Sequence, residues 1–576
     1  MTFYHPWEKE NLREQASVIR GDLQPTKILR EGIVLNAHTK LWEQAHVWIY
    51  KDRIVYVGDS LPTQMDTIEK VDCRGKFLVP GYIEPHAHPF QLYNPYTMAA
   101  YAAERGTTTL VSDNLVFYLL LSDERSFDII ERLNALPTSF FWWCRYDAQT
   151  LLRENPYQDE RIRRWLEHPQ VIQGGELTAW PQVLHGDDRL LEWMQMTKRQ
   201  GKRIEGHLPG ASEKTLLQLQ LLGVDCDHEA MTTEEAWARL RMGLTTSLRY
   251  SSIRPDLPEI LRGLVEKGLQ HYDGLYMTTD GATPHFYEQG IMDRTIEIAL
   301  EQGVPTTEAY LMASQNIARH YGLDHLLGSL EPGRMANINI LSAQNQPTPI
   351  SVLAKGEWVK RNDEVSYPVS TIDFKEVFGP LDIPWELTPD MLEPPSDLGL
   401  DMANAVITKP FTLETPPVEE ELPEGISYLT LIDVEGHWKV STYVKGFAEL
   451  EGFASSFSST GDLLLIGKHK KAIVQAFERV KTIKGGIVLI EQGESIAELR
   501  LPIRGWLSDK PMKTLAQEEQ SFVNTLREKG YDFADPIYSL LFFSSTHLPY
   551  IRITPLGLVD VMKNKILQPV EELSTI

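Results

Sequence analysis

The chain has few cysteines, no long apolar run and no excess of basic charge, and each of these absences narrows its class. The three cysteines, Cys73, Cys144 and Cys226, form no Cys-x-x-Cys pair, which argues against a disulfide framework or a zinc ribbon. No apolar run approaches the ~20 residues that a membrane helix needs. The first residues also lack the basic-then-apolar order of a signal peptide. These features predict a cytoplasmic protein with no membrane partner.

The charge balance is acidic. With 56 basic and 80 acidic residues, the formal net charge is -24. Such a chain repels the phosphates of a nucleic acid, so a polymeric nucleic acid is not the expected partner, although a single base or nucleoside remains an acceptable substrate. Its 576 residues, 42% of them hydrophobic, suffice for a large central domain with smaller ones beside it.

The central region, residues 76–330, alternates apolar runs with stretches of helical periodicity. This alternation predicts the eight strands of a (β/α)8 barrel, in which the carboxyl ends of the strands meet at one face. Each run ends in a polar residue, and in chain order these are His88, Asp113, Arg145, Glu176, His207, His228, Arg249 and Asp280.

The flanking regions predict smaller units. Residues 1–75 are interpreted as a helical lead-in and the first part of a small β-sandwich, and residues 331–360 as its returning part, so that the barrel is inserted into the sandwich. Residues 361–425 are rich in proline and acidic side chains and predict a connector with little core of its own. Residues 426–576 predict a separate α+β domain. The expected fold class is therefore α/β with these two additions.

The strand ends carry side chains that suit a metal centre. His86 and His88 are two apart in a strand, so both side chains point the same way. Taken singly, each histidine or carboxylate is as readily explained as a loop or turn residue, but ligand types at five strand ends of one barrel favour metal binding. The complete set offers four imidazoles and two carboxylates, which suit two divalent cations sharing a water, and comprises His86, His88, Glu176, His207, His228 and Asp280. Asp280 could take the proton of that water as a general base.

Several segments resemble a known family. Residues 80–88 resemble the first-strand motif of the amidohydrolase superfamily. Residues 174–176, 205–210 and 223–229 are similar to segments of its adenine deaminase family, and residues 485–488 with 501–505 resemble the extra C-terminal domain of that family. The resemblance covers almost the whole chain.

The resemblance implies hydrolytic deamination of adenine to hypoxanthine and ammonia at a two-metal centre, with Mn²⁺ favoured and Fe²⁺ or Zn²⁺ as alternatives. Glu229 could give a proton to a ring nitrogen, or be a loop acid or a partner of His228. Arg249 could contact the substrate or form an ion pair. An amidohydrolase of another purine or a cyclic amide, and a binding or regulatory homologue without turnover, remain alternatives. The sequence leaves homo-oligomerisation open.

Three segments depart from the family pattern. Residues 89–92 replace its Ile-Glu-Ser-Ser stretch, and residues 280–285 lack the second Asp and the Arg of its Asp-Asp-Arg-His. Residues 457–462 replace its Ala-His-Asp-Ser-His-Asn. The expected metal ligands are retained, so these departures concern the identity of the substrate rather than the class of reaction.

Overall fold

The computed structural model describes residues 8–414 and 422–573, and its first elements are a helix and a curled β-sheet. Helix α1 (Lys9–Arg20) ends at Gly21, whose φ of 84° lies in the left-handed region that glycine adopts without strain. The first strands of the sheet are β1 (Lys27–Asn36), β2 (Leu41–Tyr50), β3 (Arg53–Gly58), β4 (Glu69–Asp72) and β5 (Phe77–Pro80).

The barrel follows, and within the described residues its sheet has eight parallel strands in sequence order. They are β6 (Tyr82–Ala87), β7 (Thr107–Ser112), β8 (Ser139–Cys144), β9 (Val171–Leu177), β10 (Arg203–Gly206), β11 (Cys226–Asp227), β12 (Thr245–Arg249) and β13 (Leu275–Thr278). The ring closes through the buried Glu84 of β6, which accepts hydrogen bonds from Thr278 Oγ1 at 2.5 Å and from the Thr279 amide at 3.0 Å. The predicted (β/α)8 barrel is confirmed.

Helices connect successive strands of the barrel and cover its outside. They are α2 (Pro95–Glu104), α3 (Leu115–Leu120), α4 (Asp123–Asn134), α5 (Asp159–Glu167), α6 (Trp180–Leu184), α7 (Asp188–Arg199), α8 (Glu213–Leu221), α9 (Thr233–Arg241), α10 (Leu257–Glu266), α11 (Met292–Glu301), α12 (Thr306–Met312) and α13 (Gln315–His320). Helix α2 shows why they start where they do, because the Asn94 side chain accepts hydrogen bonds from the Tyr96 and Thr97 amides.

After the barrel the chain returns to the curled sheet. The added strands are β14 (Ile338–Leu341), β15 (Ser351–Ala354), β16 (Glu357–Arg361) and β17 (Glu364–Val365). Strand β14 runs antiparallel to β5, so one sheet contains both stretches of chain, and it curls around a core that includes Val47, Leu78 and Ile338.

The boundary between this sheet and the barrel differs from the predicted one at residue 76. Strand β5 pairs with β1 and β14, so it belongs to the curled sheet, and the barrel begins only at Tyr82. The two strands form one apolar run in the sequence because both are buried. The transition falls at Gly81, where a Cβ atom would lie 2.2 Å from Thr108 Oγ1.

The C-terminal domain is an antiparallel-rich sheet covered by helices. Its elements are α14 (Phe374–Phe378), β18 (Leu398–Met402), β19 (Thr408–Thr412), β20 (Ile426–Ile432), β21 (Trp438–Lys445), β22 (Gly452–Ser455), β23 (Leu463–Gly467), α15 (Lys470–Ile483), β24 (Gly486–Glu491), β25 (Glu494–Arg500), α16 (Met512–Glu528), α17 (Pro536–Phe542), β26 (Ile551–Thr554), β27 (Gly557–Asp560), β28 (Lys565–Pro569) and β29 (Glu571–Glu572). Strands β26 to β28 form a small sheet of their own.

The predicted connector at 361–425 is the clearest correction. Strands β18 and β19 of this stretch are part of the C-terminal sheet, and Leu381, Ile383, Trp385 and Leu387 are buried in its core. These four residues alternate with other side chains, so an extended segment buries one face, a pattern that the proline-rich and acidic composition obscured. Residues 415–421 of the same stretch lie outside the described residues.

Within the described ranges, no helix combines the length and the apolar character that crossing a lipid bilayer requires.

Candidate metal centre and active site

The structure brings the predicted site residues together at the carboxyl ends of the barrel strands. Each lies near the C-terminal end of a short strand or one or two residues after it. In chain order the residues are His86 in β6 and His88 after it, Glu176 in β9, His207 after β10, His228 and Glu229 after β11, Arg249 at the end of β12 and Asp280 after β13. We call His86, His88, Glu176, His207, His228 and Asp280 the ligand set.

One part of the ligand set surrounds Asp280. Its Oδ1 lies 3.3 Å from His86 Nε2 and 3.1 Å from His88 Nε2, and the three ligand atoms lie within 4.8 Å of one another. This spacing places two imidazoles and one carboxylate around a common point.

The other part centres on Glu176. Its Oε1 lies 2.5 Å from His207 Nδ1 and 3.4 Å from His228 Nε2, whereas its Oε2 lies 3.9 Å from His86 Nε2. The Glu176 carboxylate therefore stands between the two parts of the ligand set and faces both.

The chemistry of the ligand set fits divalent metal ions. His86 Nε2 is buried and makes no hydrogen bond within the described residues, although carboxylate oxygens lie near it. A buried imidazole nitrogen without a hydrogen-bond partner, facing carboxylate oxygens, is the arrangement that metal coordination completes. Nitrogen and oxygen donors together suit borderline divalent cations.

Glu205 contacts two histidines of the ligand set on the ring nitrogen opposite their metal-facing nitrogen, a role that was not predicted from the sequence. Its two carboxylate oxygens lie 2.9 Å from His86 Nδ1 and 3.2 Å from His228 Nδ1. Burial raises the pKa of Glu205, but His86 and His228 lower it further, so the side chain remains a carboxylate. It can accept a hydrogen from Nδ1 of both rings, which leaves each Nε2 free to bind a metal. A signal was present, because Glu205 lies two residues before His207 and so shares its face of the strand.

A buried ion pair supports the ligand set from the other side. Arg145 donates to Asp113 through Nε at 2.7 Å and through Nη2 at 2.8 Å, and its Nη2 lies 3.1 Å from Glu176 Oε2. Asp113 also lies 2.9 Å from His88 Nδ1. The polar ends of β7 and β8 thus orient one histidine and one carboxylate of the ligand set rather than adding ligands to it.

Glu229 and Arg249 form a buried charge network. Glu229 Oε1 accepts from Arg249 at 2.7 Å and Oε2 from Arg254 at 2.8 Å. Burial raises the pKa of Glu229, but His207, Arg249 and Arg254 together hold it at about 2. Arg249 also lies 2.6 Å from Asp280 Oδ2. Glu229 is therefore not an exposed loop acid. Arg249 forms ion pairs with Glu229 and Asp280, as one of the two roles considered for it from the sequence requires.

The C-terminal domain covers the mouth of the barrel and encloses a cavity of about 130 Å³ above the ligand set. The domain is held there by main-chain hydrogen bonds, from Ser508 N to Leu92 O at 2.6 Å and from Thr546 N to Gln149 O at 2.7 Å. We call its contribution to the cavity the roof, formed by Phe457, Ser458, Ser459, Trp506, Tyr538, Leu541, Phe542, Ser545 and His547. Neither Tyr538 nor His547 lies in a recognisable sequence motif, so their place at the cavity could not be predicted from the sequence.

The segments that depart from the family pattern lie at or near this cavity. Phe90 and Gln91 line its barrel side, and Phe457 to Ser459 belong to the roof. His285 is turned away, with its Nδ1 2.9 Å from Glu288 on the surface. Two of the three departures therefore change the walls of the cavity.

A (β/α)8 barrel with histidines and carboxylates at its strand ends defines a metal-dependent hydrolase. Residues 77–361 match the amidohydrolase family, and residues 405–565 match the adenine deaminase C-terminal domain. The chain belongs to the adenine deaminase family of the amidohydrolase superfamily, as predicted. It is a hydrolase that acts on carbon–nitrogen bonds of cyclic amidines by hydrolytic deamination, in a family that uses divalent metals.

Individual relatives span nearly the whole chain. A protein of Halalkalibacterium halodurans named "Putative adenine deaminase" is 51% identical over 571 residues, 98% of each chain. A Bacillus subtilis protein with the same description is 48% identical over 569 residues, again 98% of each. Among solved structures, the β-aspartyl dipeptidase of Fervidobacterium islandicum matches 60% of this chain and 99% of its own, with 18% identity and a TM-score of 0.46.

Proposed function

We propose that this protein hydrolyses adenine to hypoxanthine and ammonia at a centre of two divalent cations, with Mn²⁺ preferred over Fe²⁺ or Zn²⁺. The observation that carries the proposal is the buried ligand set at the mouth of the barrel, in a chain of the adenine deaminase family. The preference for manganese follows from the family resemblance.

The ligand set would divide between two cations. His86, His88 and Asp280 would hold one, since their ligand atoms lie within 4.8 Å of one another. His207 and His228 would hold the other, since Nδ1 of the first lies 3.1 Å from Nε2 of the second. Glu176 would bridge them, since its two oxygens face different histidines. When bound, two such cations lower the pKa of water so that a hydroxide nucleophile is available near neutral pH.

Asp280 would act as the general base and then return the proton to the leaving amine. Burial raises the pKa of Asp280, but Arg249 and His86 lower it further, so its carboxylate is ionised at neutral pH. A base must be in this form to accept a proton. Its Oδ2 is held at 2.6 Å from Arg249, so the side chain is oriented before substrate arrives.

Glu229 would give a proton to a ring nitrogen only if bound substrate raises its pKa, because two arginines hold it as a carboxylate. In that form it orients Arg249, which in turn holds Asp280. Substrate contact by Arg249 remains part of the proposal, since this residue also lines the cavity.

A second candidate is an amidohydrolase of another purine or of a cyclic amide. The cavity walls differ from the family pattern at Phe90 and at residues 457–459, which favours a different ring as the substrate. The reaction itself would not have to change, since the same metal chemistry serves a C=N or a C=O bond. A catalytically silent homologue is the remaining alternative. It predicts bound metal without turnover of any ring amine or amide.

The deciding experiment measures ammonia release from adenine by protein reconstituted with manganese, with His86→Ala as the blank. We expect turnover in the wild type and none in the variant, with hypoxanthine as the second product. Bound manganese without ammonia would reject adenine as the substrate. A new carboxylate formed from a cyclic amide would then select the second candidate.

A further inference from the structure

The roof contains buried polar atoms that have no partner in the described part of the chain. Ser459 Oγ, Tyr538 Oη and His547 Nδ1 have no hydrogen-bond partner within the described residues, and the three side chains line the cavity. Leaving a buried hydroxyl or ring nitrogen unpaired is unfavourable, so such an atom on a side chain that lines a cavity needs an explanation, and a bound ligand supplies one.

The protein holds Tyr538 in a defined position. Helix α17 begins at Asp535, whose Oδ1 accepts hydrogen bonds from the Ile537 and Tyr538 amides, both at 3.0 Å. The Tyr538 side chain is buried, and its ring packs at 5.7 Å against that of Phe542. A tyrosine that is anchored at its backbone, lines a cavity and has a buried hydroxyl without a partner among the described residues is organised in advance for binding.

His547 lies close to the ligand set. Its neighbour Thr546 donates its amide hydrogen to the Gln149 carbonyl at 2.7 Å, and the Gln149 side chain donates to Glu176 Oε2 at 3.2 Å. The His547 ring lies 5.1 Å from that of His207, at an interplanar angle of 86°. The C-terminal domain thus delivers an imidazole to the edge of the centre without making it part of the ligand set.

We propose that Tyr538 and His547 are specificity-determining residues that hydrogen-bond the polar edge of the purine. This inference rests on the proposed function and extends it. The barrel residues would catalyse the reaction, and the roof residues would select which ring binds. A purine edge alternates donors and acceptors, and both a phenol and a neutral imidazole can donate and accept. Phe90 and Trp506 in the same cavity offer apolar surface to the faces of the ring.

The experiment compares Tyr538→Phe, His547→Asn and His547→Ala with wild-type protein, using adenine as the substrate. The first variant removes one oxygen, and the second removes the ring while keeping a polar side chain. We expect Tyr538→Phe to raise KM for adenine ~10-fold and to change kcat by less than ~3-fold, because one hydrogen bond to a buried partner is lost. His547→Ala should raise KM more than His547→Asn does, and the manganese content of all three should equal that of the wild type.

Matched controls come from the same domain. Tyr550→Phe and His437→Asn change exposed residues away from the cavity, and His437 pairs with Asp433 on the surface. Both should keep wild-type KM and kcat. They separate loss of recognition from a general effect of altering the C-terminal domain.

The outcomes are distinguishable. Wild-type KM in both Tyr538→Phe and His547→Ala would overturn the inference and leave the proposed function intact, as would loss of manganese from His547→Ala with unchanged KM in Tyr538→Phe. If His547→Ala does not fold, Tyr538→Phe decides alone, since it removes a single atom. A wild-type protein that releases no ammonia from adenine would overturn the proposed function, and this inference with it.

Discussion

The buried carboxylate of Glu205 offers the sharpest test of how the metal centre is organised. In Glu205→Gln the shape of the side chain is retained, but only one of its two terminal atoms can accept a hydrogen bond. The native carboxylate can accept hydrogen bonds from His86 Nδ1 at 2.9 Å and His228 Nδ1 at 3.2 Å, and it accepts one from the side-chain amide of Gln173 at 2.6 Å. The amide group of the variant would instead present N–H to one of these imidazoles.

The expected loss follows from the tautomers. An imidazole that must accept at Nδ1 carries its hydrogen on Nε2, and that nitrogen then cannot bind a metal. Replacing a partner behind one ligand typically costs 10–100-fold in metal affinity or activity. Because Glu205 supports one histidine from each part of the ligand set, we expect a loss near 100-fold, or about 3 kcal/mol.

The assay is a manganese titration by calorimetry, followed by kcat/KM measured at saturating metal. Glu519→Gln is the matched control, since it changes another buried glutamate that contacts the main chain of His285 rather than a ligand. Manganese binding by Glu205→Gln within about twofold of the wild type would refute the role assigned to this carboxylate. If Glu205→Gln and Glu519→Gln lost manganese affinity equally, the loss would reflect a general disturbance of the fold rather than the contacts of Glu205.

The remaining predictions concern the proposed base, the proposed donor and the domain interface. Asp280→Asn should lower kcat by at least ~100-fold while the melting temperature stays near the wild-type value, and retained turnover would remove the assigned base. Glu229→Gln should lower kcat by more than ~10-fold if this residue donates a proton, and a smaller loss would leave only its contact with Arg249. Glu519 is buried, which raises its pKa from an ordinary 4.5 to about 8, so the native state keeps a proton that the unfolded state releases. Stability should therefore fall as pH rises from about 4.5 to about 8. Glu519→Gln should reduce this fall by a few degrees in melting temperature between pH 5 and pH 8, and an unchanged slope would contradict the shift.

The sequence by itself determined the barrel and the positions of the candidate ligands, because both are local features. A run of apolar residues predicts a buried strand, and the residue at its end lies at the mouth of the barrel whatever the rest of the chain does. The six residues of the ligand set follow in this way from five short segments, since His86 and His88 share one. The structure places them side by side.

Tertiary structure alone decided the features that depend on distant partners. Glu205 became a support for His86 across 119 residues of sequence, and Glu229 became the partner of two arginines, because only the closed barrel brings these groups together. The roof was hidden for the same reason, since Tyr538 and His547 follow no local pattern and acquire a function only where the C-terminal domain rests on the barrel. Hydrophobic periodicity can be read from neighbouring residues in the sequence, whereas the partners of buried polar groups depend on how distant segments pack together.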